Sequence, residues 1–234
     1  MIYPHGDIEP IGTDLYMVRG SIKLNPFMRI SRNMGIVREG SELTLINPVR
    51  LRPNIEKKLE VLGVIKNIVR LGAFHGVDDA YYVETFGAQF WSQSNGVTYK
   101  EPLIDIEIGI GGLTPVKDSQ FFEFNKAVEP ECALLLERDG GVLFTCDSIQ
   151  NYDDYSFNSW LAKLVLPWAG FPKATIVGPI WLKLMTPKND SLEEEFKRLL
   201  KLRFDKLLSA HGTFLAGDAH SAVKHAIKNA FMAK

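Results

Sequence analysis

Leu143-Phe144-Thr145-Cys146-Asp147 is an apolar run that stops abruptly at a carboxylate. It closes a predicted strand from Gly141 to Cys146. A second run, Glu131 to Glu137, precedes it across Arg138-Asp139-Gly140, and an Asp-Gly pair between two apolar runs is a strong hairpin signal. The same punctuation recurs on either side. Val64 to Leu71 leads into Gly72-Ala73-Phe74-His75, with Asp78 and Asp79 close behind, and Asp205 to Ala210 leads into His211-Gly212. Three apolar strands therefore end in titratable residues. In layered folds ligands gather at strand ends, where the backbone is fixed and side chains reach solvent.

Outward from these ends, Ile8 to Val18, Met28 to Val37 and Glu42 to Ile46 read as strands, with Glu39-Gly40-Ser41 as a turn. Pro53 opens a short helix through Leu62, stopped by Gly63. Behind Asp79, Tyr82, Val83, Phe86 and Phe90 recur at helical spacing. Ser191 and Glu194 have capping-box spacing, with Leu192, Phe196, Leu199 and Leu200 striping the helix behind them. Ala222, Val223, Ala226, Ile227 and Phe231 form one face of a final helix. No repeat or linker interrupts the chain, so residues 1–234 are expected to be a single domain. An aromatic-rich insert at about 152–185 lies between the Asp147 and His211 strands. It reads equally as packed core, as a pocket wall, or as the surface of a homo-oligomer.

A chain of 234 residues that is 46% hydrophobic and 24% charged is ordinary for a globular protein. Its net charge of −1, with no long run of one sign, argues against nucleic acid or an anionic membrane as partner. Trp160 to Met185 is broken by Pro167, Pro172 and Pro179 and carries Lys163, Lys173 and Lys183, so it does not read as a membrane span. Met1 to Gly20 lacks a basic stretch followed by an apolar one, and a cytoplasmic location is the simplest expectation. Cys132 and Cys146 make no disulfide framework and read as small buried hydrophobes on facing hairpin arms. Gly109, Gly111 and Gly112 read as a turn, and His5, His220 and His225 as surface residues.

His75, Asp79, Asp147 and His211 together offer two imidazoles and two carboxylates, donors that suit a first-row divalent metal. Singly, each has an ordinary reading: Asp78 or Asp79 as a helix cap, Asp147 as a loop closure, His211 as a turn residue. Their joint placement at three strand ends points to a site. The segments resemble the metallo-β-lactamase superfamily. His75-Gly76-Val77-Asp78-Asp79-Ala80 matches the first His and the Asp of its H-x-H-x-D-H signature, with Val77 and Ala80 where the other two His stand. Leu143 to Asp147 is similar to its strand ending in the metal-bridging Asp. Leu207 to Gly212 is similar to the strand ending in its last His, and Val128 aligns with its lone His.

The resemblance implies an α+β fold, the four-layer αββα sandwich. It implies a metal position built from His75, Asp79, Asp147 and His211, holding one metal rather than two. Zinc fits first, with iron or manganese as alternatives, and a chain without metal is the other outcome. Asp78 is expected to hydrogen-bond the metal's water or a ligand His as a catalytic group, or else to cap its helix. The implied function is metal-dependent hydrolysis of a small-molecule substrate by a metal-bound water. The alternative is a catalytically inactive binding or scaffold protein on the same fold. An iron redox protein is a third reading.

Overall fold

A computed structural model describes residues 1–232 of the chain. Its first sheet has seven strands in chain order: β1 (Ile8–Gly12), β2 (Leu15–Lys23), β3 (Arg29–Glu39), β4 (Glu42–Ile46), β5 (Val64–Val69), β6 (Gln89–Ser92) and β7 (Ile106–Glu107). The pairing is antiparallel from β1 to β4 and parallel from β4 to β7. The chain then enters β8 (Ser119–Glu123), β9 (Cys132–Leu136) and β10 (Val142–Thr145). A two-stranded ribbon follows, β11 (Ile149–Asn151) with β12 (Thr175–Val177), and then β13 (Lys206–Ser209), which completes a four-stranded sheet ordered β13-β10-β9-β8. The helices are α1 (Pro53–Leu62), α2 (Asp79–Phe86), α3 (Trp160–Val165), α4 (Pro179–Met185), α5 (Glu193–Leu199) and α6 (Ala219–Met232).

The period-two alternation of the strands explains the layers. Cys132, Leu134 and Leu136 of β9, with Val142 and Phe144 of β10, face Leu15, Met17, Val37 and Val69 of the first sheet. The intervening Ala133, Leu135 and Leu143 face outward, onto Trp181, Phe196, Leu199, Val223 and Ile227 of α4, α5 and α6. On the far side, Ile36, Leu43, Leu45 and Ile68 pack against Ile55 and Leu59 of α1 and Tyr82 of α2. Each fully buried Leu, Ile or Phe contributes about 1.5–3 kcal/mol, so three such layers of apolar contact hold the sandwich without staples. The sheets approach closely at Gly35, where an added Cβ would lie 2.7 Å from the Phe144 ring. The architecture is the expected αββα sandwich.

Several local expectations need correction. Ile8 to Val18 is broken into β1 and β2 because Asp14 takes a left-handed turn conformation at φ 55°. Helix α2 ends at Phe86, where Gly87 is left-handed and its N–H donates to the Val83 carbonyl, and Phe90 belongs to β6 instead. Ser191 makes no capping box with Glu194. Its hydroxyl accepts from the Glu193 N–H, and α5 begins there. His5 is buried, with Nδ1 donating to the Gly6 carbonyl and Nε2 accepting from the Arg52 N–H. The turn between β9 and β10 is a short 3-10 turn at Arg138–Gly140, again with a left-handed residue, Asp139. Part of the aromatic-rich insert makes a small core of its own, Tyr152, Ala162, Leu166 and Phe171, closed by Met28 and Ile30 at the start of β3.

Candidate metal centre

β10 and β13 run parallel, in register from Val142↔Lys206 to Thr145↔Ser209, so the residues just past their ends lie side by side. Those residues are Asp147 and, after Ala210, His211. His75 arrives from the other sheet. The chain beyond β5 is stitched to the start of β9 by the Cys132 N–H donating to the Leu71 carbonyl and by a bridge between Gly72 and Glu131. His75, Asp147 and His211 therefore converge at one edge of the sandwich.

The three side chains form a tight triangle. His75 Nε2 lies 3.2 Å from His211 Nε2 and 3.3 Å from Asp147 Oδ2, and His211 Nε2 lies 3.1 Å from Asp147 Oδ1. Donors at about 2.0–2.1 Å from a tetrahedral ion are themselves about 3.3 Å apart, so the triangle has the size of one face of that tetrahedron. His211 Nδ1 sits 2.6 Å from the Ser31 carbonyl, which only a protonated ring nitrogen satisfies. Its Nε2 lone pair is therefore turned toward the triangle. His75 Nδ1 is buried with no partner among the described residues. Burial lowers the His75 pKa and so favours the neutral, ligating form. Burial alone would raise the Asp147 carboxyl, but His75 and His211 together hold it well below the usual carboxylate range. Two neutral-capable imidazoles, one carboxylate and an open fourth direction are a donor set that fits a single divalent metal.

The loop bearing His211 is locked by polar groups of β3. Asn33 Nδ2 donates to the carbonyls of Ser209 and Gly212, and the Gly212 N–H donates to Ser31 Oγ. Gly212 has φ 81°, and a Cβ there would fall 2.0 Å from the Asn151 carbonyl. Only glycine fits.

Asp79 and Asp78 are not part of the converging group. Asp79 is buried against Arg70, whose Nε donates to its Oδ2 at 2.6 Å. Burial raises the Asp79 carboxyl and Arg70 only partly offsets this. A guanidinium thus takes up the carboxylate that the resemblance made a metal ligand. Asp78 accepts from Arg32 Nη1 at 2.9 Å and from the Arg50 N–H, so it positions Arg32. It makes no side-chain cap to α2. Val77 and Val128 are exposed.

A residue not singled out in the sequence stands beside the centre. Glu131, Cys146 and Asp147 form a second close group. Glu131 Oε1 accepts the Ser148 N–H at 2.6 Å, and burial, with the charge of Asp147 adding, pushes the Glu131 carboxyl up to about 8. Burial also raises the Cys146 thiol. The signal available was a carboxylate at the head of an otherwise apolar strand. Arg32 was missed too, although Ser31-Arg32-Asn33 is a conspicuous polar interruption in β3.

The triangle opens into a cavity of about 500 Å³. Ile30, Phe74, Tyr152, Phe171, Trp181 and Leu184 give it apolar walls, with Arg32 among the few polar groups. Trp181 Nε1 and Arg32 Nε are buried and lack partners among the described residues.

No family model and no curated protein matches this sequence. Solved structures do resemble it. The chain superposes on the DIM-1 metallo-β-lactamase with a TM-score of 0.67 at 12% identity, covering 100% of both chains. It superposes on a metallo-β-lactamase from Erythrobacter litoralis with a TM-score of 0.63 at 11% identity, covering 97% of this chain and 94% of that one. For the mono-zinc form of the metallo-β-lactamase FIM-1 from Pseudomonas aeruginosa the TM-score is 0.62 at 14% identity, covering 98% of this chain and 97% of that one. The chain has the metallo-β-lactamase fold. Among the described residues no helix is long and apolar enough to cross a membrane.

Proposed function

We propose that this protein is a metal-dependent hydrolase acting on a small substrate, with one divalent metal, zinc in the first instance, held by His75, Asp147 and His211. The triangle of donor atoms at 3.1–3.3 Å, with the Nε2 lone pair of His211 fixed toward it by Ser31, carries the reading. A divalent cation there would supply a coordinated water whose pKa is lowered toward neutrality, which is the nucleophile hydrolysis needs. Iron or manganese would accept the same donors.

The chain's own groups do the rest. Ser31 fixes the tautomer of His211, a role that carbonyls commonly play behind ligand imidazoles. Asp147 brings the negative charge that offsets part of the cation's. The apolar walls exclude bulk water from the centre, which strengthens every electrostatic interaction inside it. Arg32, anchored by Asp78 and by the Pro48 carbonyl, presents a positive charge to the cavity. It is the group for negative charge developing on a substrate oxygen. Arg70 takes up the Asp79 carboxylate, which supports a single ion rather than two.

The test is metal analysis of protein purified without added metal or chelator, followed by zinc titration of the apo protein. About one metal per chain is expected, lost in His75→Ala, Asp147→Ala and His211→Ala. A parent protein that binds none would favour a metal-free scaffold. Equal affinity in all four proteins would place the metal elsewhere.

A further inference from the structure

Three segments frame the mouth of the cavity. The turn between β2 and β3 carries Leu24 and Phe27, α3 and the turn behind it carry Trp160, Leu164 and Trp168, and α4 carries Ile180 and Leu184. They adjoin one another. The Ser159 N–H donates to the Arg29 carbonyl, and Ser159 Oγ accepts the Arg29 N–H. A Cβ on Gly170 would lie 3.2 Å from the Pro179 ring, and Leu24, Leu166, Ile180 and Leu184 line the same cavity. The inner residues of this region, Ala162, Leu166 and Phe171, are packed, so its outer ones are not displaced core. Yet Trp168 is 90% exposed, Phe27 80% and Trp160 77%. Large apolar side chains this open, on adjoining segments, mark a binding surface.

Charge identifies the partner. From Tyr155 to Lys188 the chain has no Asp or Glu but carries Lys163, Lys173, Lys183 and Lys188, and the stretch from Gly20 to Ser31 adds Lys23 and Arg29 without an acid. The four lysines and Lys23 are exposed. In a chain of net charge −1, this is a local concentration of positive charge. A two-fold dimer through the same face would set lysine against lysine, while the nearest flanking acids in sequence, Asp154 and Asp190, are already paired with Arg19 and Lys126. Exposed tryptophans among lysines match instead the chemistry of a bilayer's interfacial zone, where indoles lodge at headgroup depth and lysines meet anionic lipid. We infer that this face docks on an anionic lipid surface, with the cavity opening toward the bilayer. The expectation of no membrane partner rested on overall charge and on the absence of a spanning segment, and neither bears on a surface patch.

The experiment is co-sedimentation of the full chain, kept metal-free with chelator, with vesicles of phosphatidylcholine alone or mixed with phosphatidylglycerol. Because no metal is present, failure here would leave the proposed hydrolase untouched. Retention on the anionic vesicles is expected, weakened in 1 M salt where the Debye length is about 3 Å. Trp160→Ser with Trp168→Ser, and separately Lys163→Glu with Lys183→Glu, should each lower partitioning at least about tenfold. These side chains are exposed, and unchanged melting temperatures would confirm that the variants fold. No retention, retention indifferent to phosphatidylglycerol, or retention unchanged in both double variants would overturn the inference. So would a dimer in solution that the tryptophan variant dissolves while vesicles bind nothing.

Discussion

Asp79→Ala separates a ligand from a structural anion. If Asp79 only neutralises Arg70, its removal leaves a buried guanidinium uncompensated. Breaking a buried pair from one side costs about 3–5 kcal/mol. Arg70 would keep its bonds to the Tyr99 and Glu101 carbonyls, at 3.1 and 2.9 Å, and its place over the Phe90 ring. The low end, about 3 kcal/mol, is therefore expected, and for a domain of this size each kcal/mol lowers the melting temperature by about 2–4 °C. Thermal melts of the apo protein should fall by about 6–12 °C, while zinc affinity measured by dialysis stays near that of the parent. Arg70→Met with Asp79→Leu, which removes both charges, should recover most of the lost stability. His211→Ala should behave in the opposite way and abolish zinc binding. The reasoning fails if Asp79→Ala loses zinc as completely as His211→Ala while melting where the parent melts.

Gly35→Ala places a methyl group against the Phe144 ring at 2.7 Å, and overpacking of this kind costs about 1–3 kcal/mol, read as a lowered denaturation midpoint. An unchanged midpoint would mean that the two sheets can part there freely. Glu131→Gln keeps the acceptor for Ser148 and removes a carboxyl raised from 4.5 to about 8. A raised folded pKa means that the folded state holds a proton the unfolded chain releases, so stability is lost as pH rises from about 4.5 through about 8. The variant should equal the parent at pH 4 and exceed it by a few kcal/mol at pH 9 in chemical denaturation. Parallel curves at both pH values would contradict the buried, protonated Glu131.

The layers were legible because the main strands read as short apolar runs between turn residues and the helices behind Asp79 and Ser191 and at the end of the chain read as apolar stripes, signals that depend on residue type alone. His75, Asp147 and His211 were legible because strand ends advertise themselves as an apolar run that stops at a polar group. Asp79 misled because spacing cannot say what faces a side chain. Arg70 lies nine positions earlier on the other side of a loop, and nothing in the local sequence couples the two. Glu131 and Arg32 were obscured for the same reason, since a charge inside a strand-forming run reads as an exposed position until the opposing sheet is known. Phe90 fell out of its helix because a left-handed Gly87 outweighs a matching periodicity. The exposed tryptophans of the insert could not be told from core ones, as Trp181 and Trp168 look alike in sequence and differ wholly in burial.

The parallel pairing of β10 with β13 has a further consequence. Asp147 and His211 are neighbours in space only because a long excursion, through β11, α3, β12, α4 and α5, leaves the sheet after one strand and returns for the other. That excursion supplies the cavity wall and the exposed aromatic face, and its first strand, β11, is bridged to the His211 loop through Asn151 and Gly212, while the register of β10 on β13 is set by the two strands themselves. Recognition and chemistry are thus encoded on separable lengths of chain. Mutations accumulating in the excursion can redirect what enters the cavity while the donor triangle is inherited intact, so drift in this lineage should run fast between residues 152 and 185 and slowly at the strand ends that bracket them.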